Sequence, residues 1–157
     1  MKTLNRDWPM TKNLIKQPLN DLVITVFEGL GFITLHPMQV LTHPLADCRL
    51  NFVLKRLNSK SEYIGVIVRD WKRVVGVDQI HKAEELTQAC PDLSRILVAS
   101  SKGFSYSANR LAEKIGIGLI SRGELISILQ RGIEVPYKGQ SGAIDHLESF
   151  NLKTVSS

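Results

Sequence analysis

No apolar run in this 157-residue chain approaches the roughly 20 residues that a membrane helix needs. The segment Met1 to Pro9 is polar and mixed, without the apolar stretch of a secretory signal. There are only two cysteines, Cys48 and Cys90, and their spacing suits neither a metal site nor a disulfide framework. A reducing cytoplasm is the simplest compartment for such a chain, and no membrane partner is expected. A glycine-rich phosphate loop is missing too. Gly116-Ile-Gly118 lacks a third glycine and precedes a strand rather than a helix. Histidine is scarce, and His36, His43 and His81 read as surface or packed residues rather than ligands or catalysts.

What is present is ordinary in amount and uneven in place. The chain is long enough for one domain with a real core, and its apolar content of 43% is that of a globular protein. The net charge is +5. Between Arg49 and Arg73 there are seven basic residues and two acids, and outside that span 13 basic residues balance 13 acidic ones. The whole excess therefore lies on one stretch, which favours a polyanionic partner such as nucleic acid.

The organising element is Tyr63–Lys72. It begins apolar and largely β-branched, without proline, as a buried central strand does, and then breaks into Arg69, Asp70, Lys72 and Arg73. Upstream, residues 1–16 read as an arm. Leu19, Leu22, Val23, Val26, Phe27 and Leu30 have the spacing of one helical face, with Pro18 in the first turn and Gly31 at the end. A short strand follows at Phe32–Leu35, then an irregular stretch bracketed by Pro37 and Pro44.

Arg49–Arg56 alternates as a strand with one packed and one mostly polar face, and a polar turn over 57–62 makes a hairpin with the central strand. Downstream come a helix over 76–90, a strand at Arg95–Ser100, a helix closed by Gly116, and a strand at Ile117–Ile120. Ser121 and Glu124 then form a capping box for a last helix to Gly132. This order predicts an α/β sandwich with a mixed central sheet flanked by helices, over residues 17–132. Residues 133–157 read as a polar tail that docks on a partner protein.

Four segments carry a resemblance: Val66-Ile-Val-Arg-Asp-Trp-Lys-Arg73, Val75-Gly-Val-Asp-Gln-Ile80, Val98–Ala108 and Gly118–Leu125. With the element order, they resemble the Mrr-like restriction endonucleases and, more distantly, the archaeal Holliday-junction resolvases, both of the PD-(D/E)-x-K nuclease superfamily. The resemblance covers roughly residues 17–131 and is specific over 63–129. It implies a restriction-endonuclease-like fold, DNA as partner and a homodimer.

It also implies where a metal site would sit. Such nucleases hold a divalent ion with an Asp on one strand and a Glu or Gln on the next, with a Lys two residues later on the same face. The motif Val-Gln-x-Lys-x-Trp falls on Val66–Trp71, so the ligand position is Ile67 and the lysine position Arg69; the Asp position falls on Asn51. None of the three is the family residue. The expectation is a non-catalytic DNA-binding module that grips the backbone with Arg49, Lys55, Arg69, Lys72 and Arg73, without a cofactor. The enzyme alternative is a magnesium- or manganese-dependent DNA endonuclease with a displaced site at Asp47, Asp70 and Lys72. A third alternative is a dimerisation or adaptor subunit of a DNA-processing complex.

Overall fold

The computed structural model describes residues 16–57 and 62–134. The arm before Lys16, the tip of the polar turn and the tail after Glu134 lie outside the described residues. Eleven elements follow in order: α1 (Leu19–Gly29), β1 (Phe32–Leu35), α2 (Pro37–Val40), α3 (Pro44–Arg49), β2 (Phe52–Arg56), β3 (Tyr63–Arg69), α4 (Val77–Ala89), β4 (Arg95–Ser100), α5 (Tyr106–Ile115), β5 (Gly118–Ser121) and α6 (Arg122–Glu134).

The strands form one sheet in the order β1-β2-β3-β4-β5. β1, β2 and β3 pair antiparallel, and β3, β4 and β5 pair parallel. Helices cover both faces. On one face α1 and α6 pack on Phe32, Phe52, Leu54, Ile64, Val66, Leu97, Ala99 and Ile120. On the other, α4 and α5, with Leu41, Ala46 and Leu50 from the α2–α3 region, pack on Val53, Ile67, Ile96, Val98 and Leu119. The mixed, helix-flanked sheet is the one the element order predicts. β3 is central because its even and odd residues both meet a helix layer, which is why it reads as a continuous apolar run. Gly65 in its middle answers a close approach: a Cβ there would lie 2.9 Å from Leu50 Cδ2 and 3.0 Å from Leu93 Cδ1.

The local signals hold at several ends. Ser121 N donates to Glu124 Oε1 at 2.9 Å and Glu124 N to Ser121 Oγ at 3.2 Å, the reciprocal capping box. Gly116 closes α5 in the left-handed region, φ 84°.

Two expectations are corrected. The two prolines that bracket the expected irregular stretch each start a short helix, and only residues 41–43 between the two helices are irregular. Each has a histidine at its N-cap and a proline at its first position, with His36 Nδ1 accepting from Met38 N and His43 Nδ1 from Leu45 N, both at 3.1 Å. Second, Arg49 is not on a strand. It ends α3, Asp47 lies within that helix, and β2 begins only at Phe52. Nor does β2 have a polar face at its start, because Val53 is buried against α4's layer while Phe52 and Leu54 are buried against α1's.

Candidate nucleic-acid interface

β3, β4 and β5 all run toward the same edge of the sheet. Ligands of open α/β sheets bind beyond the carboxyl ends of the parallel strands. Here that edge gathers Arg69 to Arg73 after β3, Ser101 to Ser105 after β4, and Arg122 after β5. The loops are tied together: Ser101 N donates to Arg69 O at 3.3 Å, Val75 N to Gly103 O at 2.9 Å, and Ser105 N to Val75 O at 3.0 Å. Val75 and Phe104 form a parallel bridge that extends the sheet past its last regular pair.

The three positions singled out by the motif come together here. Phe52 pairs with Val66, so Asn51 stands opposite Ile67. Asn51 N donates to Val66 O, and Val68 N donates to Asn51 Oδ1, both at 2.8 Å. The side-chain oxygen of Asn51 thus continues the β2–β3 ladder one step beyond the regular strand. Ile67 is 2% exposed and belongs to the core under α4. Arg69, next on the same face, donates from Nε to Gln79 Oε1 at 2.8 Å and from Nη1 to Val68 O at 3.2 Å. Gln79 is buried, and its Nε2 donates to Asp78 Oδ2 at 2.9 Å. Burial pulls the Arg69 guanidinium below its ordinary value, opposed by nearby Asp78. The hydrogen bond from Gln79, chief among several causes, lowers the Asp78 carboxyl.

Asp70, one residue on, faces the other layer. Its Oδ2 accepts from Leu19 N at 3.0 Å, and Oδ1 accepts from Ser101 Oγ and from Arg122 Nη2, the latter at 3.2 Å. Arg122 also donates to Gln17 O at 2.6 Å and to Ser101 Oγ at 3.0 Å. The reason lies at the start of α1: Pro18, its N-cap residue, has no side-chain acceptor for the free amides of the first turn. Asp70 supplies that acceptor from 51 residues away. Partial burial would raise its carboxyl, but the Leu19 amide, the Ser101 hydroxyl and Arg122 outweigh it and hold the group below the usual carboxylate range.

A divalent ion does not fit these residues. Asn51 Oδ1 is already an acceptor in the ladder, Ile67 offers no donor atom, and Arg69 brings a positive charge where hard oxygen ligands are needed. The displaced set is not assembled either. Asp47 is on α3, in the layer of α4, whereas Asp70 is bonded to α1 and Arg122 in the opposite layer. Among the described residues no group of three or more His, Cys, Asp or Glu is placed to hold a metal.

The cations divide. Arg49 Nη1 meets Glu85 Oε1 at 2.7 Å and Lys82 O at 3.2 Å, so it is tied onto α4. Lys55 pairs with Tyr63 at the other end of β3, about 20 Å from Arg69 along the strand. It is therefore not part of this edge. Lys72 and Arg73 are exposed and, with Trp71, line a cleft of about 350 Å3. Arg73 Cζ lies 4.2 Å over the Trp71 ring and Arg69 Cζ 5.5 Å from it.

A family model for the Mrr catalytic domain, described as restriction endonuclease, matches residues 12–129. The chain belongs to the Mrr restriction-endonuclease family. No curated protein matches it. Residues 12–129 take in all five strands of the sheet. Within this span, sequence reasoning missed Gln79, Ser101 and Arg122. Each lies in a segment that resembles the family, but its partner is 10 to 52 residues away, and no local spacing announces such a pair. No helix among the described residues is long and apolar enough to cross a membrane.

Proposed function

We propose that this Mrr-family domain is a non-catalytic DNA-binding module that holds the phosphate backbone at the carboxyl edge of β3–β5. The carrying observation is the set Asn51, Ile67 and Arg69. They meet where the family's metal site would lie, with the neighbouring acid Asp70 turned away and engaged by Leu19, Ser101 and Arg122. Losing carboxylates while keeping cations turns an ion site into a positive surface. Lys72 and Arg73 then make the contacts, the exposed Arg73 guanidinium being suited to bidentate phosphate binding, while Arg69, with Nε and Nη1 engaged by Gln79 and Val68, adds its positive charge behind them. Lys55 falls outside this set, and Arg49 is balanced by Glu85. Pairing of two copies, so that two such edges meet two strands, belongs to the same reading and rests on family resemblance alone.

The test is binding of labelled duplex and four-way-junction DNA across a salt series, with and without magnesium or manganese. The expected outcome is binding that weakens steeply with salt and intact DNA in every lane. Metal-dependent cleavage that co-purifies with the protein would overturn the reading. An Asp70→Ala loss of such cleavage needs a melting curve beside it, because that residue also caps α1.

A further inference from the structure

The cationic edge is not a bare charge surface. Six large apolar side chains stand exposed among the described residues, and three of them, Val74, Val77 and Tyr106, are on the loops and helix starts of this edge. Phosphates gain nothing from such groups, whereas unpaired bases do. Two aromatic–arginine pairs stand out. Arg73 lies over the Trp71 ring, above the 350 Å3 cleft. Arg110 donates to the Tyr106 hydroxyl at 3.0 Å, with its Cζ 5.7 Å from the ring, beside a second cleft of about 710 Å3 along the outer side of α5. Tyr106 is 74% exposed.

The Val75–Phe104 bridge and the Ser105–Val75 hydrogen bond join the loops that carry the two pairs. Counted along the backbone and across the bridge, the Cα atoms of Trp71 and Tyr106 are at most about 28 Å apart. Lys72 lies by the first pair, Lys102 precedes the bridge, and Lys114 borders the second cleft together with Arg110 and one acid, Glu113. A groove with flat side chains at intervals and cations between them is how proteins track single strands. Bases stack on guanidinium planes as well as on aromatic rings.

We infer that the preferred ligand of this edge is single-stranded DNA, with bases stacked on Tyr106 and on the Arg73–Trp71 pair and phosphates on the interleaved lysines. The inference rests on the DNA-binding reading and sharpens it. The probes are a fluorescein-labelled oligothymidine of 20 nucleotides and a 20-base-pair duplex, both read by anisotropy at several salt concentrations. The wild-type protein binds the single strand more tightly than the duplex. Tyr106→Ala weakens single-strand binding roughly tenfold, the loss of about one stacked base. It leaves duplex affinity within about twofold and the salt slope unchanged, since no charge is removed. Tyr106→Phe, which keeps the ring, retains most of the single-strand affinity. Tyr106 is exposed enough for both variants to fold, and Trp71→Leu against Trp71→Phe repeats the comparison at the first pair. Duplex preference in the wild type, or an equal loss on both probes in Tyr106→Ala, overturns the inference and leaves the module a duplex binder. Binding of neither probe at low salt overturns the DNA-binding reading itself.

Discussion

The two edges of the sheet carry similar charge and use it differently. At the far edge, where β3 and β4 begin, Arg56 meets Glu62 at 2.9 Å and Arg95 meets the same carboxylate at 3.9 Å, and Arg56 also lies 4.7 Å over the Phe32 ring. At the carboxyl edge, Lys72, Arg73 and Lys102 reach no carboxylate among the described residues, and the one carboxylate directly after β3, Asp70, is engaged by an amide, a hydroxyl and Arg122. Counting cations along the chain treats the two edges as one patch. The pairing separates them: cations spent on neighbours hold the fold together, and cations left over are available to a ligand.

Four changes test that division. The largest effect is at the floor of the carboxyl edge. Ile67→Ala opens a cavity under α4 and costs about 2–5 kcal/mol in chemical denaturation. A loss below about 1 kcal/mol would mean that Ile67 is not core, and would reopen the position as a functional one. Next is Asp70→Asn, with an expected cost of about 1–2 kcal/mol from the weakened cap and ion pair, kept modest because the side chain is 46% exposed. The sign with pH follows from the lowered carboxyl. The native state binds the proton less readily than the unfolded chain, so the contribution is fully present above about pH 4 and is lost as pH falls through the native value. Melting curves from pH 7 to pH 2 should therefore bring wild type and variant together at the acid end, and a gap that widens there would refute the assignment.

The third change compares the edges directly. Lys72→Ala should lower DNA affinity a few-fold and reduce the salt slope by about 1, while Lys55→Ala leaves both unchanged. Equal effects would restore the single patch. The smallest effect is Glu62→Gln, which releases Arg56 and Arg95. Stability should fall by less than about 1 kcal/mol. DNA affinity should hold within about twofold; a marked rise would show that freed cations anywhere on the sheet suffice.

Much of this architecture was legible in the chain. The 3.6-residue spacing from Leu19 to Leu30 gives α1, the apolar run from Tyr63 gives β3, and Ser121 with Glu124 marks the start of α6 because two nearby residues satisfy each other. α2 and α3 were not legible, since helices of four and six residues are too short to show a period and their prolines read as breakers. Their signal was proline at the first helical position after a residue able to accept a hydrogen bond, with histidine an unfamiliar choice for that role. The alternation of a strand puts Asp70 on the other face from Ile67 and Arg69, but does not name its partners. Leu19 and Arg122 are 51 and 52 residues away, and only the fold brings them together. The span from Arg49 to Arg73 likewise did not show that Lys55, opposite Tyr63, and Arg69 stand at opposite ends of the hairpin.

The Arg122 contact with Gln17 O also decides how the domain is best handled. Gln17 is held beside Asp70, so the first described residues lie at the cationic edge. α6 starts at that edge and runs 13 residues, about 20 Å, back across the sheet. Glu134 therefore stands toward the opposite side. A fluorophore attached near Gln17 would sit beside that edge, and one attached near Glu134 would be clear of it.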